Sequence, residues 1–515
     1  MSVTKRLISG TASSWVRIAV TMLTQVLLVP VFLSYWDIKT YGIWLAVQAL
    51  VNVFSTLDRG FNDYLQFEIM QMGHDRRDKV ATLLWSGIST VAIVSCLEFI
   101  VLGLIVFKSN INFLFDNGTS ISQAFLYDVR WTLMIQWTAW TLTNGVGLLI
   151  RALYSFGYFS RMGWWNVGFA IVTSSIPIVA IINGAMLVEA CVWTLIGTTI
   201  ILIVQLFDIS YLLRKENISI STISLRLGFS NYYTSIALSG RYFLENFRQQ
   251  GVRLLLSPLA GASGLAAFST MRTGANVALQ GISTITYPLM PDLMRFLKNK
   301  DQSKMQVAFD TIWLVVLIIL SPAVLVAQTI APYLFALWTK EQITYDPYLF
   351  AILSLSVLVY GFSQPATAII TGNNLLKVQV KVSLVSSLIV ILGMLILIPI
   401  MGLIGVGISL LVAEVVVAIG FQFYAKKWLM FNEMFWPSKA YFMVFNSLAF
   451  TAIGMLLICT LSNYKWIWLI GVLLIQFWNV NKYWKNLPDI AIEKVRLSIS
   501  RIPFLGKYYS NLVKI

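Results

Sequence analysis

Residues 382–427 read VSLVSSLIVILGMLILIPIMGLIGVGISLLVAEVVVAIGFQFYAKK: two apolar runs that meet at Met401-Gly402 and stop at Lys426 and Lys427. The single charge before Lys426 is Glu414. About 20 apolar residues in a helix cross a hydrocarbon core of about 30 Å, so this stretch spans a bilayer twice. Backbone groups in lipid must be paired inside the segment, which forces helices. A membrane β-barrel would show short alternating strands instead of continuous runs.

The same pattern extends in both directions. Fourteen spans are predicted, at roughly 11–34, 41–57, 82–107, 129–150, 164–182, 188–211, 232–257, 263–287, 308–330, 348–370, 380–399, 404–424, 440–461 and 465–481. The 515 residues are 58% hydrophobic and 11% charged, against about 25% charged in a soluble domain. Fourteen helices and short loops therefore use up the chain. The run from Thr11 to Ser34 is too long for a signal-peptide core and has no small-residue cleavage site, so it is taken as the first helix. Cys96, Cys191 and Cys459 lie in apolar stretches without paired spacing, and His74 sits in a polar loop.

Charge sets the orientation. With the N-terminus inside, the cytoplasmic segments hold 27 of the 37 Lys and Arg, and the outer loops hold Lys39, Lys108, Lys340 and Lys465. This bias places both termini in the cytoplasm. A net charge of +15 often signals nucleic-acid binding, but here it is spread over many loops, where it sets topology and faces anionic lipid. No nucleic-acid partner is expected. The basic tail, 482–515, mixes Lys and Arg with Tyr, Trp, Leu and Ile, and is expected to lie on the cytoplasmic interface or to be disordered.

A weak internal repeat is visible. Tyr41-Gly42 opens a helix leading to Leu57-Asp58-Arg59-Gly60 and a basic loop; Ser263-Gly264 opens another leading to Pro291-Asp292 and a basic loop. The offset is six helices, an even number, so the halves share one orientation and are related by an axis along the membrane normal. The expected fold is all-α and polytopic, with an N-terminal lobe at 1–215 (helices 1–6), a C-terminal lobe at 216–430 (helices 7–12), peripheral helices 13 and 14 at 431–481, and the tail.

Six arginines fall inside predicted helices: Arg17, Arg130, Arg241, Arg248, Arg253 and Arg272. Arg130 is near an end and can snorkel. Arg241, Glu245 and Arg248 share one helical face within about 60°. A charge at mid-bilayer costs roughly 2.5–3.5 kcal/mol, so this face is expected to border a hydrated cavity or a partner. Arg17, Arg241, Arg248, Arg253 and Arg272 are the candidates for binding an anion, because a guanidinium stays charged and grips phosphate oxygens bidentately. The structural alternative pairs Arg241 and Arg248 with Glu245.

The acids Glu98, Glu245 and Glu414 are candidates for ion coupling or for structural roles. Asp58 and Arg59 form a candidate cytoplasmic gate, or simply a capped helix end. Gly402-Leu-Ile-Gly405-Val-Gly-Ile-Ser409 is small-residue helix packing. No catalytic constellation and no phosphate-binding loop is present in the sequence, so an enzyme is not expected, and no cofactor is required beyond proton or sodium coupling.

Several stretches resemble the polysaccharide transporters of the multidrug/oligosaccharidyl-lipid/polysaccharide (MOP) superfamily, the Wzx-type O-antigen flippases. They are Tyr41-Gly42-Ile-Trp44 with Leu57-Asp58-Arg59-Gly60-Phe61, Gly264-Leu-Ala-Ala-Phe268, Gly372-Asn-Asn and the glycine run at 402–408. Arg59 stands where the family often has an apolar residue. The resemblance implies two six-helix lobes around a central cavity in a bacterial inner membrane. It implies alternating-access flipping of an oligosaccharide on undecaprenyl pyrophosphate for O-antigen or other surface polysaccharide, alongside membrane lipids, a polymerase and a chain-length regulator. A drug or metabolite antiporter of the same superfamily is the alternative.

Overall fold

The computed structural model describes residues 3–72, 76–109, 111, 122–220 and 222–487. His74 and the tail from 488 lie outside these. The elements in chain order are α1 (Val3–Tyr35), α2 (Ile38–Phe54), α3 (Thr56–Met72), α4 (Arg77–Lys108), α5 (Gln123–Ser155), α6 (Phe159–Ile182), α7 (Leu187–Lys215) and α8 (Leu225–Asn246). They continue with α9 (Val252–Lys298), α10 (Gln302–Val315), α11 (Ser321–Thr339), α12 (Pro347–Gly372), α13 (Leu376–Met401), α14 (Leu403–Phe431), α15 (Ser438–Thr460) and α16 (Lys465–Trp484).

These sixteen elements make fourteen long rods. A single turn at Ser55 joins α2 to α3, and a π-turn at Val316–Leu320 joins α10 to α11. Another π-turn, Phe247–Gly251, joins α8 to α9, which bends sharply at Gly261 (φ 73°). Each predicted span falls on one rod to within a residue, and no strand is present among the described residues. The chain is an all-α, multi-pass membrane protein.

Short polar side chains start several of the rods. Asp37 accepts from the Thr40 amide at 3.1 Å, Ser122 from Phe125 at 3.3 Å and Asp346 from Leu349 at 3.1 Å, satisfying amides that have no partner inside the helix. The outer faces are greasy. On α13 the row Leu384, Leu388, Leu392, Ile396 and Ile400 is exposed, while Val390, Met394 and Ile398 are buried. An exposed apolar row of this length suits lipid, not water.

Among the described residues, eleven helical stretches are long and apolar enough to cross a membrane by composition alone. The exceptions are α5, α8 and α16. The first two interrupt their apolar faces with Asn144 and Arg151, and with Arg241 and Glu245.

The chain divides into two compact units: residues 1–274 with 336–344 and 390–406, and residues 275–335 with 345–389 and 407–515. In the first, α1 packs along α6, α5 along α7, and α3 along α8. The α3–α8 contact requires Gly60: a Cβ there would lie 2.4 Å from the Ser239 amide nitrogen and 2.5 Å from its Cα. The glycine of the Leu57-Asp58-Arg59-Gly60 stretch is thus a close-packing residue.

In the second unit, Trp313, Phe362, Trp436 and Tyr441 form an aromatic core. Tyr483 of α16 donates to the buried carboxyl of Asp310 at 2.9 Å, which fastens the last helix to α10.

Candidate anion-binding site

The polar heart of the first unit lies where α3, α5 and α8 converge. Arg59 and Asp63 are one turn apart on α3, and Arg59 Nε lies 3.7 Å from the Asp63 carboxylate. Arg151, in the last turns of α5, donates to Asp63 Oδ1 at 2.8 Å. The Tyr242 phenol of α8 lies beside the same carboxylate. The Arg59 guanidinium lies 5.1 Å from the centre of the Tyr242 ring, and the Arg241 guanidinium 5.7 Å from it. A cation over an aromatic face gains about 0.5–1 kcal/mol at exposed sites and more when desolvated.

Two guanidiniums therefore meet at one carboxylate, and a third, that of Arg241, lies near the phenol ring beside it. Asp63 neutralises one positive charge at most, so the cluster keeps an excess. Arg241 Nε is buried with no hydrogen-bond partner among the described residues, and the Arg59 side chain is 59% exposed. A donor left unpaired in a low-dielectric setting is costly. An incoming phosphate, with several acceptor oxygens, satisfies such donors.

The five predicted anion-binding arginines are not all brought together. Arg241 joins the cluster. Arg253 is set in α9 beside Tyr41, and its Nε is buried without a hydrogen-bond partner among the described residues. Arg272 lies over the Phe268 ring at 5.9 Å. Arg17 is exposed on α1. Arg248 lies in the π-turn, and its side chain is outside the described residues.

Glu245 is exposed and forms no ion pair with Arg241 among the described residues. Glu414 is buried in α14, in the second unit.

The candidate gate residues divide. Arg59 belongs to the cationic cluster. Asp58 points elsewhere: it lies beside Glu98 of α4 and accepts from Trp140 Nε1 of α5 at 3.0 Å. Asn144 is bonded to Asn62 at 2.6 Å, and Asn246 donates to the Asn52 carbonyl at 2.7 Å. Among the described residues, no group of three or more His, Cys, Asp or Glu is placed to hold a metal ion.

Asp63, Arg151 and Tyr242 are site residues that the sequence pattern does not single out. Hydropathy ends the second and fourth spans at 57 and 150, whereas α3 runs on to Met72 and α5 to Ser155. An i, i+4 reading from Arg59 is the signal that would have found Asp63.

No family model matches this chain, and no curated protein matches it. Solved structures do. The lipid II flippase MurJ in an inward closed conformation aligns over 93% of this chain and 99% of its own, with TM-score 0.67 and 13% identity. An inward-facing multidrug resistance MATE family transporter of the MOP superfamily aligns over 80% and 97%, with TM-score 0.63 and 15% identity. A point mutant of the Vibrio cholerae MATE transporter VcmN aligns over 83% and 97%, with TM-score 0.56 and 16% identity. The chain has the fold that these membrane transporters share.

Proposed function

We propose that this chain flips an undecaprenyl-pyrophosphate-linked oligosaccharide from the cytoplasmic to the outer leaflet, for O-antigen or another surface polysaccharide. The observation that carries the reading is the pairing of both Arg59 and Arg151 with the single carboxylate of Asp63, with Arg241 beside the neighbouring Tyr242 ring. It stands on α3, α5 and α8, and two of these are rods whose composition alone does not mark them as membrane-spanning. Intramembrane cations are costly and are kept where they meet a substrate or partner. Guanidiniums in excess over acid select an anion, and a lipid diphosphate is an anion that a membrane delivers.

Alternating access of two six-helix lobes, at 1–215 and 216–430, carries the head group across while the prenyl chain stays in lipid. Helices α15 and α16 stand outside the repeat. The orientation expected from the basic loops puts both termini in the cytoplasm of a bacterial inner membrane. The Arg151 end of α5 and the Asp63 end of α3 then face the cytoplasm, where the lipid-linked unit is made. A polymerase and a chain-length regulator would act on the product.

The alternative is export of a drug or metabolite, by analogy with the MATE transporters. Coverage favours the lipid-linked substrate: the flippase match takes in 93% of this chain, the two MATE matches 80% and 83%. The test is surface glycan output in a strain that depends on this gene. Arg241→Ala and Arg248→Ala are expected to abolish glycan while the protein still reaches the membrane, with Lys restoring it only in part. Full output from the double alanine variant would overturn the reading.

A further inference from the structure

A cavity of about 250 Å³ opens among α10, α15 and α16, within the second unit. A water takes about 30 Å³ in the liquid, so the space accepts a group of several heavy atoms. Its walls are pinned. Gln302, at the start of α10, donates to the Phe435 carbonyl at 2.8 Å and accepts from the Phe435 amide at 3.0 Å. Asn479 of α16 donates to the Met443 carbonyl of α15 at 2.9 Å, and Tyr483 donates to Asp310 Oδ1 at 2.9 Å. On the orientation expected from the basic loops, the cavity lies at the cytoplasmic interface.

The lining carries both signs of charge. Asp310 is 1% exposed and has no cation within ion-pair distance among the described residues. A buried carboxylate without a counter-charge is costly. The positive side is the first turn of α15, whose residues Ser438, Lys439 and Ala440 all line the cavity. No side chain caps this helix, and the amides of Lys439 and Ala440 have no acceptor among the described residues. Open amides, the helix dipole and the exposed Lys439 ammonium together favour an anion.

An anion alone would share the space with Asp310 and be repelled by it. A cation alone would meet Lys439 and leave the amides empty. A ligand that holds an ammonium and a phosphate a few bonds apart satisfies both sides at once. We propose that this cavity binds a phosphoethanolamine group, with its ammonium on Asp310 and its phosphate at Lys439 and the first turn of α15. Two sources offer that group: the headgroup of phosphatidylethanolamine in the adjoining leaflet, and soluble glycerophosphoethanolamine. A choline headgroup does not fit the chemistry, because an ionised carboxylate only accepts hydrogen bonds and a quaternary nitrogen has none to give. A glycerol headgroup brings no positive charge for Asp310. Occupancy ties α15 and α16 to α10, whatever the chain transports.

Native mass spectrometry of the full chain tests this, with phosphatidylethanolamine, phosphatidylcholine and phosphatidylglycerol of matched acyl chains offered together. The wild type is expected to retain phosphatidylethanolamine about tenfold over either of the others, the scale of one charge-assisted hydrogen bond. Asp310→Asn is expected to lose that preference. So is Lys439→Glu, a change at an exposed position, which decides alone if Asp310→Asn does not fold. Equal retention of the three lipids, stronger retention of phosphatidylglycerol, or a preference unchanged in either folded variant would overturn the proposal. Glycerophosphoethanolamine separates the sources. Adducts with the lipid alone assign the site to the membrane headgroup, and displacement of the lipid by an equal concentration of the soluble compound assigns it to the free molecule; both results uphold the paired ammonium and phosphate.

Discussion

Replacing Asp63 by Asn removes the one negative charge inside the arginine cluster and keeps the side chain's shape. Two opposite effects follow. Stability falls, because Arg151 exchanges a charge-assisted hydrogen bond at 2.8 Å for a neutral one. Bonds to charged groups contribute about 1.5–3 kcal/mol and neutral ones about 0.5–1.5, so the loss is about 1 kcal/mol. Anion affinity rises. A phosphate on the outer edge of these guanidiniums lies about 6 Å from the Asp63 carboxylate, and at an effective dielectric of about 20 the repulsion is about 2.8 kcal/mol. With Arg59 more than half exposed, solvent and salt reduce this to about 1.4 kcal/mol, or about tenfold in affinity. Calorimetry with inorganic pyrophosphate on the protein in nanodiscs, beside thermal unfolding of the same sample, reads both. Tighter binding with a lower melting temperature is expected. Weaker or unchanged binding would refute the reasoning, because Asp63 would then be positioning the arginines, not restraining them.

Gly60→Val drives a side chain into the Ser239 backbone, where a Cβ alone would be 2.4 Å from nitrogen. Overpacking of this kind costs about 1–3 kcal/mol or more, so a lower melting temperature in detergent is expected together with loss of pyrophosphate binding, since Arg241 and Tyr242 ride on the displaced helix. At the α9–α10 loop, hydrogen bonds from Lys304 hold the Asp301 carboxyl below its usual range, and the Lys300 ammonium does the same for Glu433. A depressed carboxylate contributes order above its unfolded pKa and loses it as pH falls through the lower folded value. Hydrogen exchange at 299–305 and 432–436 is therefore expected to stay slow at neutral pH and to quicken, once corrected for intrinsic rates, as the pH drops below about 4. No change in protection would show that these ion pairs do not order the loops.

The architecture was legible because hydropathy, length and backbone satisfaction all act on the same scale of about 20 residues. The site was legible only in part. Arg241 stands out as a charge within an apolar run, whereas Asp63 and Arg151 sit in the polar extensions of α3 and α5 beyond those runs and look like loop residues in sequence. Periodicity also has a limit on the seventh rod. The reading at 100° per residue holds through Asn246, but the π-turn at Phe247–Gly251 changes the phase, so Arg253 is not where a regular helix would put it. The contact between Asp58 and Glu98 joins two rods, and nothing in the spacing of one sequence reports a contact of that kind.

The central claim is that the arginine cluster recognises a lipid diphosphate. Native mass spectrometry of the full chain, offered undecaprenyl pyrophosphate and undecaprenol at equal concentration, tests it most directly. Selective retention of the diphosphate lipid by the wild type, lost in the Arg59→Ala, Arg151→Ala, Arg241→Ala triple variant, is expected. Equal retention of both lipids, or undiminished selectivity in the triple variant, would contradict it.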